Sequence, residues 1–457
     1  MSGKPDRITF QGRMDDMLTT LRTEIVNGLR PKGSYLPSEI VLGEQFQVSK
    51  KSVRKALDIL VNEGLITKIP RVGNRVSPPD TPPVTTLRFG IYPSVMEQDF
   101  LPELLERFYE KHPHIRVETV TLPYTKYSHS IRAYLEQGFL DAFTLNNRNF
   151  MDMHEADALP LLEPQSPLAD QHPFLADLFT EQGILYSVPL MFSPIVLCYN
   201  KDLFKQCGLR EPNSGWTWDR LLENAAEINR QTGIIGFFSH IESLNRFPIF
   251  LLQSGFRFAK DASGYRFTDP ELWDILHSCR SLFHQQGFLP AFLSEGDGDA
   301  ERLFKQQKTS MIMTSYYGLQ LLKNLSFQYD ITPLPYSLTP KTLLLATGIA
   351  INRFSKQKEA TRLLVRFLAS EPSQRLLHRR TLSLPANIAA ADDSSVDGPD
   401  LPSRYHLYRE IVPTFADYRD LNISMEALDG FGQELKLFWA GLEEPKSILE
   451  HMQSAVK

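Results

Sequence analysis

Lys50, Lys51, Ser52, Arg54 and Lys55 crowd one short stretch that follows directly on Ser49. The cations can pair with phosphate oxygens, and the hydroxyls and guanidinium can reach base edges. A basic run alone is usually a solvated helix face. Here the spacing adds to it. Val53, Ala56, Leu57 and Leu60 fall at i, i+3, i+4 and i+7, so a helix over Lys50–Glu63 buries them and leaves the cations outside. Ser49 is placed to cap that helix. Ser38 is placed to cap a shorter one over Glu39–Gln45, with Glu39 at the positive end of its dipole. Upstream, Met14–Leu29 carries another helical stripe, closed by Pro31 and Gly33. Downstream, Leu65–Ile69 and Asn74–Val76 read as two strands turning at Arg71-Val72-Gly73-Asn74, where Gly and Asn tolerate positive φ.

Helices at this spacing followed by a basic hairpin are the parts of a winged helix-turn-helix, an α+β DNA reader. Its candidate DNA-binding residues are Ser38, Ser49, Lys50, Lys51, Ser52, Arg54, Arg71 and Gly73. Charge agrees: residues 1–77 hold 13 Lys+Arg against 8 Asp+Glu, while the remainder holds 36 against 46. A basic head on an acidic body suits a polyanion-binding head. At 457 residues and 42% hydrophobic, the chain has material for two or three domains. The boundary falls at Ser77–Thr86, whose prolines at 78, 79, 82 and 83 make a semi-rigid spacer. The expected domains are 1–77, a linker over 78–86, and a body over 87–457. The three cysteines form no disulfide framework. The N-terminus has no apolar signal core, and no run reaches the roughly 18 apolar residues of a membrane span. The expected location is the cytoplasm, with no membrane partner.

Leu36-Pro-Ser-Glu39, Val48-Ser-Lys-Lys-Ser-Val-Arg54-Lys-Ala-Leu57 and Leu60 to Gly64-Leu-Ile66 together resemble the GntR family head. The family pattern has Arg where Lys50 stands, Thr where Ser52 stands, and often a DNA-contacting Arg where Ile40 stands. The resemblance implies a double-stranded DNA operator as partner, with Arg54 and Arg71 the best-matched contacts.

The body reads as α/β. Leu87–Tyr92, Arg116–Thr121, Leu140–Leu145 and Ile195–Tyr199 are strand-like, with helices between the first three. Ligands gather at strand C-terminal ends in such sheets, which points to Pro93–Met96 and Asn146–Asn147. Residues 184–204 (ILYSVPLMFSPIVLCYNKDLF), Pro212 with Gly215-Trp-Thr-Trp-Asp219, Met311–Gly318, Tyr329–Pro335, Thr347–Ile351 and Phe438–Leu442 resemble, in order, the carbohydrate-type extracellular solute-binding proteins. That resemblance implies a two-lobed, type II periplasmic-binding-protein-like fold. The lobes are expected at about 87–194 with 312–340, and 195–311 with 341–457. It also implies a small effector, most simply a sugar.

Sugar pockets combine an aromatic platform with fixed polar groups. The candidate platforms are Phe192, Trp216 and Tyr317. The candidate polar groups are Ser94, Asp141, Asn146, Asn147, Asn245 and Thr347. Trp218 is read as packing a helix start, with Thr217 as N-cap. No catalytic residue, metal site or cofactor is expected. The expected function is a ligand-responsive DNA-binding transcription regulator acting as a homodimer. Two alternatives stand beside it: a body resembling a pyridoxal-phosphate aminotransferase, for which no convincing Schiff-base lysine is found, and a body used only for dimerisation.

Overall fold

A computed structural model describes residues 7–26, 29–77, 84–96, 100–123, 127–262, 264–284, 294–393, 401–444 and 447–449. The proline-rich residues 78–83 of the spacer lie outside them. The chain forms two compact units. One holds residues within 1–87, 106–118 and 357–364; the other holds 88–105, 119–356 and 365–457.

In the first unit, helices α1 (Arg7–Val26), α2 (Glu39–Gln45) and α3 (Lys50–Asn62) precede the hairpin β1 (Ile66–Ile69) and β2 (Gly73–Val76). Their apolar stripes meet in a closed core of Met17, Leu21, Leu42, Val53, Ala56, Leu60, Ile66 and Val76. The α1 helix begins at Arg7 rather than Met14; residues 7–13 carry no apolar stripe to announce it. The segment Gly33–Leu36 lies along β2, with Leu36 donating to the Asn74 carbonyl at 2.9 Å and Val76 to Ser34 at 2.8 Å. Arg22 of α1 pairs with Glu63 at 2.6 Å and also with Glu359.

The large sheet has the order β11-β8-β13-β5-β3-β4; the parts of β3, α5, β4 and α15 within 85–87, 106–118 and 357–364 count with the first unit, and the rest of the elements below with the second. Strand β3 (Thr85–Ile91) leads through α4 (Pro93–Met96) and α5 (Leu101–Lys111) to β4 (Ile115–Thr121). Helix α6 (Tyr127–Glu136), β5 (Ala142–Asn146) and α7 (Asn147–Glu155) follow. Next come α8 (Pro173–Asp177), a small hairpin of β6 (Thr180–Glu181) and β7 (Ile184–Leu185), and the long strand β8 (Ser187–Asn200). Helices α9 (Lys201–Gln206), α10 (Trp218–Thr232) and α11 (Pro248–Ser254), the hairpin β9 (Lys260–Asp261) and β10 (Gly264–Tyr265), and helices α12 (Pro270–His284) and α13 (Gly298–Lys305) come after it. The chain returns through β11 (Met311–Ser315), α14 (Tyr316–Leu319), β12 (Tyr329–Thr332) and β13 (Thr342–Ile351). It ends with α15 (Lys358–Ala369), α16 (Glu371–Thr381), β14 (Leu384–Pro385), α17 (Ile388–Ala391), α18 (Tyr408–Ile411), β15 (Phe415–Ala416) and α19 (Met425–Trp439).

All fourteen residues of β8 are buried. Its first half pairs with β13, and its second half with β11 and β12. Alternate side chains of that second half serve different cores. Val196 and Cys198 join one with Phe143, Phe150 and Tyr316; Ile195, Leu197 and Tyr199 join another with Trp218, Phe247 and Phe431. The expected lobe boundaries meet at these ladders. Residues 311–315 and 329–332 sit on Ile195–Asn200, while 347–351 pair with β5. Strands that cross between halves do not announce their partners in sequence order.

Strand β13 carries a bulge between Thr347 and Gly348 against β8. A Cβ on Gly348 would lie 2.4 Å from Ser187 Oγ and 2.9 Å from the Val188 carbonyl. Gly348→Ala is therefore expected to destabilise the body by about 2 kcal/mol or more through overpacking. A wild-type urea midpoint for this variant would refute the close approach.

His378 is fully buried between the Ala390 carbonyl at 2.8 Å and the Tyr405 hydroxyl at 2.9 Å. Burial pushes its pKa down to about 4, from an ordinary 6.5. His172 and His240 are lowered for the same reason. A depressed folded pKa means that the unfolded chain binds protons first. The stability is therefore whole above pH 6.5 and drains away as the pH falls toward 4. His378 alone accounts for roughly 3 kcal/mol of that loss. Urea unfolding at pH 7.5 and pH 5 should already show about 2 kcal/mol of it, and His378→Gln should flatten the slope.

Candidate functional site

The candidate DNA-binding residues of the head are set by two caps. Ser38 Oγ accepts from the Val41 amide at 3.4 Å, and Ser49 Oγ from the Ser52 amide at 3.2 Å. The hydrophobic face of α3 is buried through Val53, Ala56, Leu57 and Leu60. That burial fixes the opposite face, where Lys50, Lys51, Arg54 and Lys55 are exposed. Arg54 Nε donates to Glu39 Oε2 at 2.8 Å, so α2 holds the guanidinium against the first turn of α3. In the hairpin the left-handed positions are Arg71 (φ 64°) and Gly73 (φ 139°), rather than Asn74. Arg71 is exposed at the turn. The structure thus brings Ser49, Lys50, Lys51, Ser52 and Arg54 together at one helix start, with Ser38 at the start of the neighbouring helix.

The expected ligand residues divide. Phe192 is fully buried, with its ring edge-to-face on His172, Phe174 and Tyr408 at 5.3, 5.4 and 5.8 Å. It is a core residue, not a platform. Trp216 is likewise buried, packed near Phe204. Trp218 packs the start of α10, capped by Thr217, and donates its indole N–H to Gln253 at 2.8 Å. Asp141 stands at the opposite end of β5 from Asn146. Its carboxylate accepts from the Arg88 amide at 2.8 Å and from Ser355 Oγ at 2.5 Å, so it ties strands rather than solute. Asn147 is spent on β13, bonding Leu344 at 3.0 Å and Ala346 at 3.1 Å. Asn146 caps α7 through the Asn149 amide at 2.7 Å.

Tyr317 and Thr347 do meet. The Tyr317 hydroxyl donates to the Met191 carbonyl at 3.2 Å, and Met191 pairs with Thr347 across the ladder. Burial raises the Tyr317 pKa, opposed by a hydrogen bond with Thr347. Asn245 accepts from the Tyr418 hydroxyl at 2.8 Å and donates to Asp297 at 3.1 Å. Ser94 lies in α4, and its side chain is outside the described part.

Sequence reasoning missed the charged groups between these elements. Arg148, at the start of α7, pairs with Asp429 of α19. Burial raises the pKa of Tyr92 and, against the pull of Arg148, that of Asp429. Arg246 is almost wholly buried, 3.6 Å from Asp297. Arg148 Nε and Asp297 Oδ1 are buried without a hydrogen-bond partner. The only available signal was position: Arg148 directly follows the strand-end Asn146–Asn147 pair.

Residues 92–375 match the family described as bacterial extracellular solute-binding protein. The chain belongs to that family. Its head matches a second family, the gntR family of bacterial regulatory proteins, over residues 16–76. The galactooligosaccharide-binding protein of Bacillus subtilis is 23% identical over 308 residues, 63% of this chain and 70% of that protein. The head is 45% identical over 58 residues to the HTH-type transcriptional regulator YieP of Escherichia coli, 13% of this chain and 25% of that one. Among solved structures, maltose-bound T. maritima MalE3 superposes with a TM-score of 0.70 at 20% identity, covering 82% of this chain and 99% of that one. The Listeria monocytogenes substrate-binding protein Lmo0181, in complex with cycloalternan, gives 0.69 at 21%, covering 82% and 98%. These likenesses establish a two-lobed, type II solute-binding fold behind a winged helix-turn-helix. They displace the aminotransferase-like body. No helix among the described residues is long and apolar enough to cross a membrane.

Proposed function

We propose that this protein is a cytoplasmic transcription regulator whose solute-binding body tunes the DNA affinity of its gntR-type head. The observation that carries the reading is the fusion itself. One chain joins a capped, cation-faced helix to a body whose relatives include a galactooligosaccharide-binding protein. The effector is a small carbohydrate, and the operator is double-stranded DNA read by a homodimer with half-sites about one helical turn apart. DNA contacts come from Lys50, Lys51, Ser52, Arg54 and Arg71, with Ser38 and Ser49 as caps and Gly73 shaping the turn. Tyr317, Thr347, Asn245 and Ser94 remain ligand residues in this proposal, joined by Tyr92, Arg148 and Tyr418.

A solute changes DNA affinity only by binding two states of the protein differently. Movement of the halves about β8 and β11 supplies those states. Within the first unit, Arg22 bridges Glu63 behind α3 and Glu359 at the start of α15, which offers a route to the head beside the spacer. The test is calorimetric titration with a panel of mono- and oligosaccharides, followed by operator binding with and without each hit. A sugar that binds in the micromolar range and shifts DNA affinity by about 5- to 150-fold is the expected result. Sugar binding that leaves DNA affinity unchanged would sink the sensor reading.

A further inference from the structure

We infer that Arg148, Glu155, Asp429 and the first turn of α19 form a clasp that holds the two halves of the body together without any solute. Helix α7 belongs to the first core through Phe150 and Met153. Helix α19 belongs to the second through Met425, Leu428, Phe431 and Leu435. Three polar ties run from residues 148–177 to residues 419–429. The Arg148 guanidinium meets the Asp429 carboxylate. The Glu155 carboxylate accepts the Met425 amide, at 2.9 and 2.8 Å to its two oxygens. The Arg419 guanidinium donates to the Asp177 carbonyl at 3.1 Å. Met151 of α7 packs against the second core between the first two ties.

The chemistry of the ties is mutually supporting. Glu155 places a negative charge on orphan amides at the positive end of α19, where a carboxylate is most favourable. Arg148 is three-quarters buried, with a side-chain exposure of 27%. Separating it from Asp429 leaves a desolvated guanidinium without its counter-charge, which costs more than breaking a surface pair. A solute entering between the halves therefore meets a guanidinium already engaged. The clasp sets the resting state, and the solute competes with it.

Pulsed electron–electron spin resonance on the full chain tests this without DNA or sugar, so its outcome is independent of the effector proposal. Spin labels go on Gln137→Cys and Lys436→Cys, both exposed and on opposite halves, in a Cys207→Ser background. The unsubstituted clasp should give one narrow distance. Asp429→Ala with Glu155→Gln should raise the longer-distance population about tenfold. The exchanged pair Arg148→Asp/Asp429→Arg should restore the narrow distance, which a merely structural defect would not allow. A wild-type distribution as broad as that of the Asp429→Ala/Glu155→Gln protein overturns the clasp. Hydrogen exchange gives a reading that needs no variant. The Met425 amide should be strongly protected in solute-free wild type, and exchange at the rate of an unstructured amide overturns the inference.

Discussion

Replacing Lys50, Lys51 and Arg54 together by alanine should abolish specific DNA binding while leaving the fold intact. All three are exposed on α3, whose buried face is Val53, Ala56, Leu57 and Leu60, so none supports the core. The single variants should behave differently. Lys is a point charge, and each lysine removed should weaken binding to every sequence alike and lower the salt slope by about one. Arg54 presents a planar fork, held by Glu39 at 2.8 Å. Arg54→Ala should cost about 1–3 kcal/mol and relax preference at one position of the site. Fluorescence anisotropy, on duplexes that the wild-type protein selects from a random pool, separates the two behaviours across a salt series. Near wild-type affinity in the triple variant would mean that another surface reads DNA.

The second large effect is expected at Gln253, which is fully buried at the end of α11. Its amide nitrogen donates to the Pro335 carbonyl at 2.9 Å and the Lys341 carbonyl at 3.0 Å, while its oxygen accepts the Trp218 indole N–H at 2.8 Å. One side chain thus pins α10, α11 and the segment leading into β13. Leucine fills the same space and leaves an indole donor and two carbonyls without partners. Each orphaned group costs about 1–3 kcal/mol, so Gln253→Leu should lose roughly 3–5 kcal/mol. Urea unfolding, followed by tryptophan fluorescence, reads the loss directly. A shift smaller than about 1 kcal/mol would show that the three bonds are not made in solution.

The head was legible almost residue by residue because its determinants are local. Caps at Ser38 and Ser49, the stripe from Val53 to Leu60 and the Gly73 turn all lie within a few positions of what they shape. The body was legible as a class but not as a site. Residue pattern alone marks only Ile195–Tyr199 of β8, because Pro189 and Pro194 interrupt the strand and its burial on both faces erases the alternation that marks a half-exposed strand; the rest of it is legible only through the family resemblance over 184–204. Phe192 and Trp216 were read as platforms from residue type, yet an aromatic ring serves a core as readily as a sugar. Asp141 and Asn147 have polar side chains near strand ends, and their partners lie some two hundred positions away, at Ser355 and Leu344. The Arg148–Asp429 pair spans 281 positions, beyond any spacing argument.

That same separation matters during synthesis. The head core closes with Val76, whereas β5 and β8 wait for β13 at Thr342–Ile351. The core of the head can therefore close during synthesis long before the sheet behind it is complete. In the regulator proposed above, a chain cut short in between would keep the core of its head and lose the body that answers the solute.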